Sequence, residues 1–194
     1  MREPNPTPAD RFLALLKPIE RDLELYCRRL IWDRQGVADA LQNAVLRAFA
    51  AFDRYHEDAS FRAWMFKILT HEVFALNRKH ARIARHEFQL EPAELEDLLD
   101  AEAAGETASA PLAASASAEA LDEHLVAALK TLTAAERAVL LLRALGELRY
   151  REIAESLDMP LGSVMGHLAR ARQKMRLALT RLEKTQPFPQ PKPL

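Results

Sequence analysis

Residues 149–172 read RYREIAESLDMPLGSVMGHLARAR. In the first part of this stretch Ile153, Ala154 and Leu157 recur at helical spacing and define an inward face. Asp158-Met159-Pro160-Leu161-Gly162 interrupts the period, and Ser163 is the expected N-cap of a longer basic helix running to about Lys184. A short helix, a tight turn and a longer basic helix form the helix-turn-helix pattern. The small Ala154 lets the second helix cross closely, Met159 fills the turn, and Val164 and Leu168 pin the second helix to its domain. Ser163, Met165, Gly166, His167 and Arg170 are then left facing outward near the helix start. Arg172, Lys174 and Arg176 continue the charge, and phosphate contacts are their natural role.

Upstream, Thr133-Ala134-Ala135-Glu136 is a capping box that opens a helix carrying Val139, Leu140, Leu142 and Leu145, with Gly146 as its stop. Leu121, Leu125, Ala128 and Leu129 mark another helix before it. A C-terminal helical domain is therefore expected over 121–184, followed by a Pro-rich extended tail at 185–194. The N-terminal part reads as a second bundle, over 10–86. Pro18 suits a first turn ahead of Ile19, Leu23, Tyr26, Cys27 and Leu30. Gly36 separates this run from Ala38, Leu41, Val45, Ala48, Phe49 and Phe52. Ser60 is an expected N-cap for a helix with Phe61, Trp64, Met65 and Ile68. Between the domains, 87–120 is an acidic, Ala/Ser-rich stretch with Gly105 and Pro111, the composition of a flexible linker. A coil of that length spans about 30 Å on average. The fold class expected is all-α: two small helical domains joined by a flexible acidic linker, the second containing the helix-turn-helix.

Composition narrows the function. The chain has 194 residues, of which 49% are hydrophobic, and a formal net charge of −1. It can bury cores, and it has no run of about 20 apolar residues to span a bilayer. The single cysteine excludes an internal disulfide and a paired-thiolate zinc site. Without a secretory leader at Met1–Pro6, a cytoplasmic setting is expected, with no membrane insertion. The near-zero charge conceals a segregation. Residues 87–123 hold 11 acids and no Lys or Arg; residues 1–86 hold 15 bases and 11 acids, and residues 124–194 hold 12 bases and 6 acids. Two basic lobes flanking an acidic bridge suit a polyanion gripped at two places.

No enzymatic constellation is present. His71-Glu72 begins an HExxH-like string, but Ala75 stands where the second ligand belongs, and no phosphate-binding or nucleophile-elbow motif occurs. No cofactor, metal or small-molecule substrate is expected. Arg78, Arg82 and Arg85 share one helical face beside Lys79, and with the aromatics upstream they suit tracking of a nucleic-acid backbone. Trp64 reads more readily as core, whereas Tyr55, between Arg54 and His56 in a polar stretch, is the better stacking residue. Asp39, Gln42, Asn43 and Arg47 form a polar stripe on an otherwise apolar helix. It reads either as a plain solvated face or as a protein-docking face.

The strings Ala38–Phe49 and Phe61–Ile68 resemble region 2 of bacterial RNA polymerase sigma factors. Leu132–Arg143, Tyr150–Glu155 and Ser163–Arg172 resemble region 4. With these two regions and a connector alone, the chain looks like the extracytoplasmic-function group. The resemblance implies a non-enzymatic subunit that binds core RNA polymerase and directs promoter recognition and opening. It implies that Asp39, Gln42, Asn43 and Arg47 meet the polymerase, and that Arg54, Tyr55 and His56 capture a flipped base of the minus-ten element while Arg78, Lys79 and Arg82 hold the strand. It also implies that the helix carrying Ser163, Met165, Gly166, His167, Arg170, Arg172 and Lys174 enters the major groove at the minus-thirty-five element. Promoter DNA and an anti-sigma factor are the further partners it implies. The chain departs from the family pattern at Asn43, His71 and Ala75, at Met165-Gly166-His167 in the recognition helix, and at Asp158 in the turn. With fewer donors facing the bases, Arg170 becomes the expected main anchor. A sigma mimic that titrates a regulator, or a stand-alone helix-turn-helix regulator, are the competing readings. Neither accounts for all the basic surfaces and the first lobe together.

Overall fold

The computed structural model describes residues 6–31, 35–56, 60–88 and 116–185, with side chains to residue 80 in the third stretch and over 123–181 in the fourth. All regular structure among them is helical. In the first lobe these are α1 (Pro8–Leu16), α2 (Glu20–Leu30), α3 (Gly36–Ala50) and α4 (Phe61–Phe88), with 3-10 turns at Lys17–Ile19 and Phe52–Arg54. The second lobe contains α5 (Ala116–Lys130), α6 (Ala134–Ala144), α7 (Tyr150–Leu157) and α8 (Leu161–Thr185).

The start of α1 obeys a signal that the apolar periodicity hides. Thr7 accepts from the Asp10 backbone N–H, the Asp10 carboxylate accepts in return from Thr7, and Pro8 stands at the first position. Ser60 caps α4 as expected, its Oγ accepting from Ala63 N–H at 3.2 Å. On α3 the inward residues Ala40, Ala44 and Ala48 recur every fourth position and are all buried, so α4 packs close against it. Phe12, Phe52 and Phe61 meet edge-on with centroids 5.2–6.4 Å apart and close the end of the bundle. At the centre the Tyr26 and Thr70 hydroxyls lie 2.7 Å apart. Thr70 donates its only proton to the Phe66 carbonyl, so it accepts from Tyr26.

The second lobe is organised by its helix ends. Thr133 and Glu136 form the expected capping box of α6. Arg137 is buried, and it donates to the carbonyls of Leu129 and Leu132, which terminate α5 and the turn after it. The turn between α7 and α8 runs through Asp158 in the left-handed region at φ 50 and ψ 49, which accounts for an Asp where glycine is usual: Asp is among the few L-residues that tolerate this conformation. Ile153, Val164 and Leu168 are buried as expected; Ala154, Leu157 and Met159 are half-buried against the core, and Ser156 is buried beside them.

Two boundaries differ from expectation. Ser163 is not an N-cap: α8 begins at Leu161, and both Ser163 and Val164 N–H groups bond to the Pro160 carbonyl. Proline ends the turn with a helix-compatible φ, so the helix starts directly behind it. Helix also enters both ends of the stretch read as linker, because α4 extends to Phe88 and α5 starts at Ala116. The alanine-rich composition supports helix despite its charge. The rest of the linker and the tail beyond 185 lie outside the described residues.

The lobes pack α4 against α7 and α2 against α6, and a polar contact at a helix end adds to this. Arg62 of α4 donates from Nε to the Gly146 carbonyl at 2.7 Å and from Nη2 to the Leu145 carbonyl at 2.6 Å, and it pairs with Asp22 of α2 at 2.6 Å. These carbonyls follow α6 and have no intrahelical partner. Gly146 is required there by space rather than by φ, since a Cβ would stand 2.5 Å from the Leu142 carbonyl oxygen. Gly146→Ala is accordingly expected to lower stability by about 1–3 kcal/mol, read as a lower thermal midpoint. Cys27 is fully buried, and burial pushes its thiol up to about 12. Alkylation of this single thiol at pH 8 should proceed only through unfolding, with a rate set by denaturant; fast labelling of the native chain would contradict this.

Candidate nucleic-acid interface

Three exposed surfaces gather the residues singled out in the sequence. The first lies on α8. Val164, Leu168, Ala171 and Met175 hold the helix to α5, α6 and α7. The opposite side therefore carries Met165, which is 47% exposed, with Arg170, Arg172 and Arg176 exposed beside it. Ser163, Gly166, His167 and Lys174 are half-buried at its margin. This side holds three exposed arginines and one exposed thioether.

Arg170 is not a free side chain. Its Nη2 lies 3.1 Å from His167 Nδ1, and its Nε lies 3.5 Å from Glu136 Oε1. A guanidinium can only donate, so Nδ1 is the acceptor in this geometry. Glu136 Oε2 also accepts from Lys174 Nζ at 2.8 Å and from the Thr133 backbone N–H at 3.1 Å. Burial opposes the charge of Glu136, but hydrogen bonds from Lys174 and Thr133 and the Lys174 charge outweigh it and hold the carboxyl below the ordinary glutamate value. Sequence reasoning assigned Glu136 only to the capping box. Its second function depends on a residue 38 positions away, and no local pattern signals it.

The second surface is at the far part of α4 and the turn before it. Arg78 and Lys79 are exposed, while Asn77 is buried and donates to the Leu30 carbonyl at 3.3 Å. Arg82 and Arg85 belong to the same helix, but their side chains lie outside the described residues. Arg54 and His56 are exposed. Tyr55, expected as an open loop aromatic, is instead half-buried: its ring stacks on Phe52 at 5.8 Å and 7°, and meets Phe61 and Trp64 at 5.4 Å. The chain turns through a 3-10 segment just before it, which folds the ring back onto the aromatic end of the bundle. Trp64 belongs to the same cluster and packs against the core, as its spacing suggested.

The third surface is the α3 stripe. Asp39, Gln42, Asn43 and Arg47 are all exposed, and Arg47 pairs with Glu72 of α4 at 2.7 Å. Sequence reasoning missed Leu46, which is 58% exposed within the stripe, and Phe49, which is 44% exposed at its end. A face mixing polar groups with an uncovered leucine differs from a simply solvated one. Among the described residues, no His, Cys, Asp and Glu side chains cluster to hold a metal ion, and no helix is long and apolar enough to cross a membrane.

Residues 15–83 match the model for Sigma-70 region 2, and residues 123–175 match that for Sigma-70, region 4. The chain belongs to the sigma-70 family. It is 28% identical over 194 residues to the ECF RNA polymerase sigma factor SigG of Mycobacterium tuberculosis, a match covering 90% of this chain and 50% of SigG. The chain thus spans half the length of that curated relative. It is 24% identical over 180 residues to the ECF RNA polymerase sigma factor SigW of Bacillus subtilis, covering 88% of this chain and 89% of SigW. In fold it is similar to the sigma factor RpoE of Bartonella quintana, solved with the anti-sigma factor NepR, with a TM-score of 0.70, 19% identity, and 88% and 97% of the two chains covered. It is also similar to CnrH, solved with the cytosolic domain of CnrY, with a TM-score of 0.59, 23% identity and 88% of each chain covered.

The lowered pKa of Glu136 has a definite sign for stability. Its contribution is present above the ordinary glutamate value and is lost as pH falls through the lower folded value. As pH drops below the ordinary glutamate value, thermal midpoints should therefore fall more steeply for the native chain than for Glu136→Gln.

Proposed function

We propose that this sigma-family chain acts in transcription initiation, binding core RNA polymerase and directing it to promoter DNA as a non-enzymatic, cytoplasmic subunit. The observation that carries this reading is the order of the two modules on one chain, each with an exposed cationic surface. Region 4 presents α8, and region 2 presents the far part of α4. In this reading Ser163, Met165, Gly166, His167, Arg170, Arg172 and Lys174 face the upstream element. Arg170 supplies a fork able to read a base edge and Arg172 takes phosphates, while Lys174 lies beside them paired to Glu136.

Arg54, Tyr55, His56, Arg78, Lys79 and Arg82 form the downstream contact. The packed position of Tyr55 favours a wall of stacked rings against which an unpaired base is held, rather than a loop that wraps one. An extruded base loses stacking worth a few kcal/mol, and an aromatic wall offsets part of that. The α3 stripe of Asp39, Gln42, Asn43 and Arg47, with Leu46 among them, is the polymerase-docking face: its mixed polar and apolar character suits a protein partner rather than a phosphate chain. An anti-sigma protein is a further proposed partner. The closed contact of Arg62 with the end of α6 brings both modules within reach of a single inhibitor.

Run-off transcription with bacterial core polymerase and this chain, on genomic fragments, tests the reading. Discrete starts that depend on the chain are expected; transcription identical to core enzyme alone would refute it. Arg170→Ala should lower promoter affinity roughly tenfold or more, the cost of one good base-edge contact, and relax sequence preference upstream. Arg47→Ala should weaken capture of core polymerase without changing DNA preference.

A further inference from the structure

Glu136 lies where no DNA contact can reach it, yet it touches two residues of the DNA-facing helix. Its side chain is 3% exposed, against 56% for Arg170 and 41% for Lys174, so the carboxylate sits behind both cations. We propose that Glu136 is a specificity-determining positioning residue: it fixes the fork of Arg170 and keeps Lys174 from gripping phosphates of any sequence. This rests on the reading of α8 as the helix that meets duplex DNA.

Three constraints converge on the Arg170 side chain. Glu136 draws Nε from below at 3.5 Å, and His167 Nδ1 accepts from Nη2 at 3.1 Å. Gly166 provides the third, because a Cβ at that position would stand 3.3 Å from Arg170 Nη1. The glycine thus leaves open the flank along which the guanidinium lies. A fork already held in place loses little freedom when it binds a base edge, whereas a free one settles on whichever phosphate is nearest.

Charge works in the same direction. Arg170, Lys174 and Glu136 together carry one net positive charge; without the carboxylate's charge they carry two. Each phosphate neutralised steepens the salt dependence of binding by about 0.9 in log–log slope, which at about 50 mM salt corresponds to roughly tenfold in affinity. Glu136 therefore lowers affinity for random DNA while leaving the oriented Arg170 to select.

The test uses the full chain with a pool of random-sequence duplex DNA, measuring affinity across a salt series and sequencing the bound fraction. Glu136→Gln should bind the pool roughly tenfold more tightly at about 50 mM salt, with a slope steeper by about 0.9. Its bound fraction should be less enriched in any motif. Glu136→Asp, which restores the charge, should return both readouts toward the native chain. Thr133→Ala removes the cap hydroxyl but keeps the carboxylate, so it should leave slope and enrichment unchanged. The proposal is overturned if Glu136→Gln matches the native slope and enrichment, or if Thr133→Ala reproduces its effects. If the native chain shows no salt-dependent binding to duplex DNA at all, the reading of α8 fails and the proposal fails with it.

Discussion

The second lobe depends on one buried carboxylate having its charge answered. Glu136 is carried inward by a capping box, and burying a charge without partners costs several kcal/mol. Here the Thr133 backbone N–H, Lys174 and Arg170 answer it. The start of α6 is thereby tied to the middle of α8, and the orientation of α8 follows from a helix cap on another element. Apolar packing by Val164, Leu168 and Ala171 holds α8 against the lobe, but a row of small and aliphatic side chains permits rotation and sliding. A carboxylate paired to two cations fixes the angle at which the helix presents them.

The contact between lobes is of another kind. Arg62 meets backbone carbonyls that end α6, together with an Asp22 carboxylate that is 38% exposed. Partly solvated groups of this sort exchange protein partners for water at small net cost: a hydrogen bond to a charged group contributes about 1.5–3 kcal/mol, and a solvated ion pair less. This polar contact sits beside apolar packing: the buried side chains of both lobes form one cluster, with α4 against α7 and α2 against α6.

What was legible in the sequence was local. The Thr133 capping box, the Ser60 cap and the helix-turn-helix around Asp158 each lie within a few residues of their signals, and each is found. The Ser163 cap failed because two local rules compete there: a serine ahead of a periodic run signals a cap, and so does the proline that sets φ for the turn before it. Proline won, since a covalent restraint does not depend on a hydrogen bond. Helix α1 was overlooked for the opposite reason. Its Thr7, Pro8 and Asp10 are a clear start signal, but the reading gave weight to apolar spacing, which a nine-residue helix barely displays. Tyr55 looked solvent-facing among polar neighbours, and only the fold brings Phe52, Phe61 and Trp64 around its ring. The Glu136 and Arg62 contacts span 38 and 83 or more residues, distances over which a single sequence carries no pairing information.

The residues at which the sequence departs from the pattern the resemblance implies share a physical theme. Met165, Gly166 and His167 remove donors from the recognition face, and a face with fewer donors forms fewer base contacts. Gly166 and His167 also frame Arg170, one by leaving space and the other by accepting from it. In the proposed reading, discrimination rests on one well-placed fork and on the surrounding charge being kept low enough that phosphates of random sequence do not compete. A recognition helix with many donors tolerates loose side chains, because several contacts have to agree before it binds tightly. A helix with a single reader has no such redundancy, and its accuracy depends on how firmly that one side chain is held from behind.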